Sequence, residues 1–352
     1  MFQSVLASFL TVLILTPLVI HISKHFLWYD DVTPRKMHSR NVPRTGGIVI
    51  LIASFVGTAV YMIFFSSVHC LPCVIVIAVS MLIIFCGGFL DDIYELRVIC
   101  KLGFQIVSSL AVSLSPLYFK SFLGFEFYPP LGRFLTFFWT VSLINAFNMI
   151  DGLDLLCPGI SFITHLCIGI FFVVIGQSGT LCFIFAGALL AFMFFNRPPA
   201  KIFLGDSGSH VIGFSIAIIP MICDFGQYEP VKLLIMFLVV SIPATDVLAA
   251  IWRRKREKRP FFSADRAHIH HKLINMGLSE GKAVLFLLII QFFICLSVGM
   301  IFFMKSLTQK VVVLSANLLF VWGIFIAIHY LNRSVNIKFQ GKLPEEPEET
   351  RF

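Results

Sequence analysis

Residues 74–92 read VIVIAVSMLIIFCGGFLDD, an unbroken apolar run that ends on two adjacent carboxylates. As a helix the run is long enough to cross a hydrocarbon core of about 30 Å, and it lacks the period-two alternation of a barrel strand. Carboxylates beside hydrocarbon are costly, so Asp91 and Asp92 mark a candidate functional site. The stretch therefore predicts a membrane-spanning helix with a polar site at its end.

Similar apolar runs recur along the whole chain, which is 58% hydrophobic and 13% charged over 352 residues. A soluble protein of this length needs far more polar surface. We predict an all-α polytopic membrane protein with about eleven transmembrane helices, placed at roughly 2–23, 46–66, 73–90, 102–118, 133–150, 155–175, 179–195, 208–222, 231–251, 284–304 and 311–331.

The distribution of lysine and arginine predicts the orientation of these helices. With the N-terminus outside and the C-terminus in the cytoplasm, the inner segments hold 22 Lys and Arg residues and the outer segments hold 5. We therefore expect one transmembrane domain, 1–331, and a short disordered cytoplasmic tail, 332–352. The cytoplasmic loops are expected at about 24–45, 91–101, 151–155, 196–207 and 252–283. These basic loops explain the net charge of +8 without a nucleic-acid partner.

A second polar cluster lies at the inner end of the fifth predicted span, where Asn145, Asn148, Asp151 and Asp154 recur every three residues. If the helix continues through them, they form one polar stripe. The alternative is a helix that ends near Gly152 with polar groups around its C-terminus. The sequence favours the stripe.

Asp206 stands in the segment FLGDSGS, directly before the eighth predicted span. Free backbone N–H groups and the positive end of the helix dipole make such a segment suitable for binding phosphate. A carboxylate there would repel phosphate unless a cation lay between them, and Mg²⁺ typically combines one or two carboxylates with substrate phosphates. The alternative is that Asp206 is an ordinary N-cap.

Two inner loops carry basic residues that suit a diphosphate. Arg266, His268, His270 and His271 lie in the last large loop, where a zinc site is the alternative. Arg44 precedes Thr-Gly-Gly in the first loop, where positive-inside topology would also explain the charge.

Read in order, these segments resemble the polyprenyl-phosphate N-acetylhexosamine-1-phosphate transferase family. The matches are RKMHSRNVPRTGG, GGFLDDIYELRVICKLGFQ, NAFNMIDGLD, FLGDSGS, the pair Pro243-x-x-Asp246 with Arg253-Arg254, and SADRAHIHH, which together extend from residue 35 to residue 271. The resemblance implies transfer of a sugar 1-phosphate from a UDP-N-acetylhexosamine to undecaprenyl phosphate, with release of UMP. It also implies dependence on Mg²⁺, with Mn²⁺ as a substitute, and a place in the bacterial inner membrane at the first membrane step of a cell-surface polysaccharide pathway.

The resemblance also assigns roles to individual residues. Asp91, Asp92 and Asp206 would be the essential acids, and Asp206 would bind the metal with Asn148. The expected substrate contacts are Lys101 with phosphate, Phe203 with uracil and Asp151 with the nucleotide. Those with the diphosphate or the sugar are Arg266, His268, His270 and His271. Arg44 and Asp154 are also expected to contact substrate. Asp246 would pair with an inner arginine. Leu155 stands where the family usually has glycine, so we expect the local turn to differ.

The histidine string predicts the sugar. Ile269 interrupts the histidines, and this pattern resembles the branch that uses UDP-N-acetylglucosamine. In a helix, we expect His268 and His271 to lie on one face and His270 on another. The alternatives are the peptidoglycan branch that transfers phospho-N-acetylmuramoyl-pentapeptide, a lipid-diphosphate hydrolase, and a transporter that uses the acids as a relay. Membrane lipids are expected to surround the protein, and a homodimer stays open.

Overall fold

The chain is helical along most of its length. The computed structural model describes residues 1–29, 42–65, 71–258, 260 and 268–339. In chain order, the α-helices of these residues are α1 (Phe2–His25), α2 (Gly46–Phe65), α3 (Leu71–Tyr94), α4 (Val98–Leu114), α5 (Pro129–Ile150), α6 (Leu156–Val174), α7 (Thr180–Asn196), α8 (Gly205–Ile222), α9 (Lys232–Val239), α10 (Ser241–Arg256), α11 (Ile269–Asn275), α12 (Glu280–Val298) and α13 (Leu307–Phe339). Short 3-10 helices lie at Gly226–Val231 and Gly299–Phe303.

Six helices in the described part of the chain are long and apolar enough to cross a membrane, namely α1, α2, α3, α6, α12 and α13. The stretch Gly226–Val239 and α10 pass the same test together, as one span bent by 69°. Helices α4 and α7 are apolar but shorter. The prediction of a helical polytopic membrane protein is therefore confirmed, whereas the count of eleven stays a prediction.

The bend between α9 and α10 has a local cause. Pro243 lies in the first turn of α10 and has no N–H to donate to Val239, four residues earlier. The side-chain amide of Gln291 on α12 donates to that carbonyl instead, at 2.8 Å, and also to Thr164 Oγ1 at 2.9 Å. A neighbouring helix thus supplies the hydrogen bond that the proline removes, as backbone in a membrane requires.

Helix α8 lies at the centre of the bundle, and every residue from Ser207 to Pro220 is buried. Glycines let α2 and α3 approach its first turn closely. A Cβ atom on Gly47 would lie 2.4 Å from the Gly208 nitrogen, and one on Gly88 would lie 2.5 Å from the Ser207 nitrogen. Such contacts between backbones are typical of packing between membrane helices, and here they fix the position of the α8 N-terminus.

Three features differ from the predicted architecture. A two-stranded hairpin, β1 (Ser121–Phe122) and β2 (Phe125–Glu126), lies between α4 and α5, with Leu123 and Gly124 at positive φ as a two-residue turn requires. The predicted loop 252–283 contains α11. Helix α13 continues to Phe339, so the predicted start of the tail at 332 is wrong, while residues 340–352 lie outside the described part.

Candidate active site

The ends of α3, α4 and α8 meet at a cluster of charged side chains. Lys101 near the start of α4 forms an ion pair with Asp91 Oδ2 and lies 3.1 Å from Asp206 Oδ2. The second oxygen of Asp91 accepts a hydrogen bond from the Leu96 backbone N–H at 2.7 Å. One ammonium therefore lies between two carboxylates, and it can turn from Asp206 to an incoming phosphate while it stays paired with Asp91.

Asp92 points in a different direction from Asp91 and contacts the first turn of α8. Its Oδ1 accepts from the Asp206 backbone N–H at 2.7 Å, and its Oδ2 accepts from the Ser207 N–H at 3.0 Å and the Ser207 hydroxyl at 2.6 Å. The expectation of free N–H groups at this helix N-terminus is therefore wrong for Asp206 and Ser207. The Asp92 carboxylate from α3 already accepts hydrogen bonds from these N–H groups, and its negative charge is stabilised by the positive end of the helix dipole.

The segment before α8 is held by backbone hydrogen bonds to the segment before α2. The Phe203 N–H donates to the Pro43 carbonyl at 2.8 Å, and the Gly46 N–H donates to the Phe203 carbonyl at 3.0 Å. Gly205 has φ +74°, and a Cβ there would lie 2.3 Å from the Arg44 carbonyl oxygen, so the close approach needs glycine. These bonds bring Phe203 and Arg44 to the same edge of the site.

The polar residues of α5 face α4 and α8. Asn148 donates to Ser209 Oγ at 3.1 Å, and Ser209 donates to the Asp206 carbonyl at 3.3 Å. Asn145 donates to Gln105 Oε1 at 2.7 Å. Four polar residues here were not predicted from the sequence, namely Gln105, Ser207, Ser209 and His210. For Gln105 and His210 the signal was present, because each follows a charged site residue by one helical turn.

The predicted continuous stripe through Asp151 and Asp154 is wrong, because α5 ends at Ile150. Asp154 Oδ2 accepts from the Ala200 N–H at 3.0 Å, beside α7. Leu155 adopts the left-handed conformation, with φ +69°, and its N–H donates to Asn196 Oδ1 at 2.8 Å. Leu155 thus occupies the region of φ that glycine favours, and the expectation that the turn differs from the family's stays a prediction.

Asp151 lies in the turn just after α5. Its pKa is raised well above the ordinary value, chiefly by burial and then by the nearby Asp206 and Asp92 carboxylates, while Arg44 opposes the shift. Asp151 and Arg44 therefore share an electrostatic environment with the charged cluster. At this position Asp151 would interact electrostatically with both an anionic substrate and a cation.

The histidines of the last large loop pack on the turn after α5. A Cβ on Gly152 would lie 2.5 Å from His270 Nε2, so His270 lies directly against this turn. Burial, and next the proximity of His271, lower the pKa of His270 to about 3. Both ring nitrogens of His270 are buried without a hydrogen bond to a described residue. His270 is therefore a neutral ring with hydrogen-bonding capacity left for a ligand.

The predicted division of the histidines between helix faces is wrong. His268 is the N-cap of α11 with ψ 159°, so helical spacing does not apply to it. The His268 and His270 rings are nearly parallel with centroids 5.9 Å apart, and the His270 and His271 centroids are 4.3 Å apart. Asp246 accepts from the Ile269 N–H at 2.9 Å and lies 2.7 Å from His268 Nδ1, so its described hydrogen bonds do not go to an arginine. Arg266 lies outside the described residues.

The donor atoms of the site suit a hard cation that takes part of its coordination from substrate. Among the described residues, no three His, Cys, Asp or Glu side chains group as a metal cage. Asp206 and Asn148 offer oxygen atoms on neighbouring helices, joined through Ser209. Mg²⁺ commonly uses one or two protein carboxylates together with phosphates and water, so these residues fit it. They do not form a site that would hold it alone.

Comparison with known proteins identifies relatives of this chain. Residues 74–224, from α3 to just after α8, match the family model described as glycosyl transferase family 4. The chain is 33% identical over 339 residues to the probable undecaprenyl-phosphate N-acetylglucosaminyl 1-phosphate transferase of Bacillus subtilis (strain 168), covering 92% of this chain and 89% of that protein. It is 30% identical over 268 residues to the undecaprenyl-phosphate alpha-N-acetylglucosaminyl 1-phosphate transferase of Escherichia coli (strain K12), covering 72% and 71%.

Proposed function

This chain belongs to glycosyl transferase family 4, and from that membership we propose that it transfers N-acetylglucosamine 1-phosphate from a UDP-sugar to undecaprenyl phosphate, releasing UMP. The names of its relatives supply the sugar and the acceptor. The observation in this chain that carries the proposal is the Lys101 ammonium between Asp91 and Asp206 at the ends of three helices.

The reaction is a phosphoryl transfer between two anions. An oxygen of the acceptor phosphate bonds to the phosphorus that carries the sugar, and the bond from that phosphorus to the oxygen of UMP breaks, with UMP keeping the electron pair. Such transfers depend on positioning and charge neutralisation more than on covalent help. Lys101 supplies positive charge, Asp91 orients its ammonium, and Asp92 holds the turn of α8 that presents Asp206.

We propose Mg²⁺ as the cofactor, held by Asp206 and Asn148, with Mn²⁺ as a substitute. When bound, the ion would neutralise negative charge on the substrate phosphates. The acidic cluster gives a physical reason for it, because a diphosphate would otherwise approach Asp206 and Asp151 directly. Without the ion, only Lys101 and Arg44 among the described residues would offset the several negative charges of the acids and the phosphates.

The nucleotide is proposed to lie beside the segment that joins α7 to α8. Phe203 would stack on uracil, and Asp151 and Asp154 would contact the nucleotide end. His268, His270 and His271, with Arg266 from the same loop, would hold the diphosphate or the sugar. The packing of His270 on Gly152 supports this placement of the histidines, because it brings α11 to the turn that carries Asp151.

We propose eleven membrane crossings, with the N-terminus outside, the site and C-terminus in the cytoplasm, and the protein in the bacterial inner membrane. Helices α4, α5, α7 and α8 and the bent α9–α10 pair would complete the six apolar spans. A cysteine at Lys258 or Lys282, in a background without native cysteines, should resist impermeant thiol reagents in intact cells. A cysteine at Glu229 should react. Equal labelling at all three positions would contradict this topology.

The activity is tested with purified protein, Mg²⁺, undecaprenyl phosphate and a panel of UDP-sugars. We expect UMP release that requires both the polyprenyl phosphate and UDP-N-acetylglucosamine or another simple UDP-N-acetylhexosamine. Turnover with only the muramoyl-pentapeptide nucleotide would reverse the choice of sugar. UMP release without the lipid acceptor would indicate a hydrolase, and no release with any donor would contradict the proposal.

The role of Asp206 has a direct test. The Asp206→Asn substitution keeps the size of the side chain and removes its charge. We expect near-complete loss of UMP release, with unchanged helical content and an unchanged thermal midpoint within a few degrees. Normal turnover of this variant at ordinary Mg²⁺ concentrations would remove Asp206 from the site.

A further inference from the structure

A second layer of polar residues lies one helical turn deeper in the bundle than the charged cluster. Gln105 follows Lys101 by four residues on α4, and His210 follows Asp206 by four on α8. Asn145 precedes Asn148 by three on α5. Gln105 and His210 are buried, with 3% and 2% of their surface exposed. Polar groups this deep in a membrane bundle are costly, which favours a functional role.

The hydrogen bonds in this layer indicate which nitrogen of His210 carries the proton. Gln105 Oε1 accepts from Asn145 Nδ2 at 2.7 Å, and Gln105 Nε2 donates to Asn145 Oδ1 at 3.3 Å. The same Gln105 amide nitrogen lies 3.5 Å from His210 Nε2. Because that nitrogen is a donor, we assign His210 Nε2 as the acceptor. The hydrogen of the neutral ring is therefore assigned to Nδ1.

His210 Nδ1 is fully buried and makes no hydrogen bond to any described residue. A buried donor left without a partner costs about 1–3 kcal/mol, so such a group in a native protein calls for an explanation. Side chains in a helix lean toward the preceding turn, which places the His210 ring over the turn of Asp206. The imidazole and the Asp206 carboxylate also interact electrostatically.

We propose that His210 is a positioning residue whose Nδ1–H becomes the hydrogen-bond partner of the Asp206 carboxylate when substrate is bound. In this structure Asp206 contacts Lys101. When Lys101 turns to the substrate phosphates, Asp206 loses that contact and needs another group to fix its orientation. The His210 donor provides it from the deeper layer, without adding a charge. This inference rests on the proposed phosphoryl transfer.

Two conservative substitutions separate this role from a structural one. In His210→Asn the amide nitrogen reaches about as far as Nδ1, and in His210→Gln it reaches about as far as Nε2. If Nδ1 matters, the asparagine variant should keep function and the glutamine variant should lose it. If His210 only supports Gln105, the order should be reversed. His210→Leu removes both groups and sets the lower limit.

The experiment measures kcat and KM for UMP release, together with calorimetric binding of UDP-N-acetylglucosamine and Mn²⁺ in the absence of lipid acceptor. For His210→Asn we expect values within about 3-fold of the wild type. For the Gln and Leu variants we expect losses of about 10–100-fold in kcat and in metal-dependent binding, as found for residues that orient metal-binding carboxylates. Thermal midpoints should be alike in the Asn and Gln variants.

Three results would overturn the assignment: function kept by the Gln variant and lost by the Asn variant, function kept by all three variants, or equal losses in all three. A wild-type protein without UMP release, or without metal-dependent nucleotide binding, would instead contradict the proposed function. The wild-type control therefore separates the two conclusions.

Discussion

Asp92 at the end of α3 and Ser207 in the first turn of α8 are joined by two hydrogen bonds to one carboxylate oxygen, at 3.0 Å from the backbone N–H and 2.6 Å from the hydroxyl. The neighbouring Asp91 contacts Lys101 instead. Two adjacent acids therefore have different structural tasks. Asp92 fixes the α8 turn, and Asp91 fixes the ammonium, although a direct role of either acid in the chemistry stays a prediction.

The first prediction separates these two acids. Asp92→Asn removes a capping charge and leaves an N–H group where an acceptor was, so we expect it to cost about 1–2 kcal/mol of stability and to lower activity. Asp91→Asn should lower activity with a smaller change in the thermal midpoint. The measurement is thermal unfolding in detergent alongside UMP release. An inactive Asp92→Asn protein with a wild-type midpoint would point to direct contact with substrate.

The apolar runs and the positions of charge at their ends could be read from the sequence, because a span depends on composition over some twenty residues. The partner of Asp92 could not be read in this way, since Ser207 lies 115 residues away. The end of the fifth predicted span at 150 matches the end of α5, but the polar stripe was wrongly extended beyond it. The three-residue spacing of polar groups was taken for a helix, although the turn after it carries Asp151 and Asp154.

The second prediction concerns the contact between His270 and the turn after α5. Gly152→Ala places a methyl group where only 2.5 Å separates it from His270 Nε2, so the ring has to move. We expect at least a 10-fold loss of UMP release with little change in the thermal midpoint, because Gly152 is exposed. Gly281→Ala is the matched control, since no described atom beyond its own helix lies within 4 Å of the position that its methyl group would take. Equal activity of the two variants would contradict the contact.

The third prediction concerns the backbone of Leu155. A residue with a Cβ pays about 1–2 kcal/mol in the left-handed region, whereas glycine does not. Leu155→Gly and Leu155→Ala both remove the side chain, so their difference isolates the backbone. We expect the glycine variant to be more stable than the alanine variant by about 1 kcal/mol, the reverse of the usual order. Chemical unfolding of both proteins measures this, and a more stable alanine variant would contradict the φ of +69°.

The fourth prediction follows from the pKa of His270, which burial and then His271 lower to about 3 from an ordinary 6.5. Between these values the unfolded chain binds the proton and the folded protein does not. His270 should therefore stabilise the fold fully above about pH 6.5 and progressively less as the pH falls toward 3, with a slope of at most about 1.4 kcal/mol per pH unit. His270→Gln cannot titrate, so the stability difference between wild type and variant should shrink as the pH falls. Measuring that difference at several pH values cancels the contribution of the acids that both proteins share. A difference that stays constant from pH 7 to pH 4 would show that His270 is protonated as readily in the folded protein as in the unfolded chain.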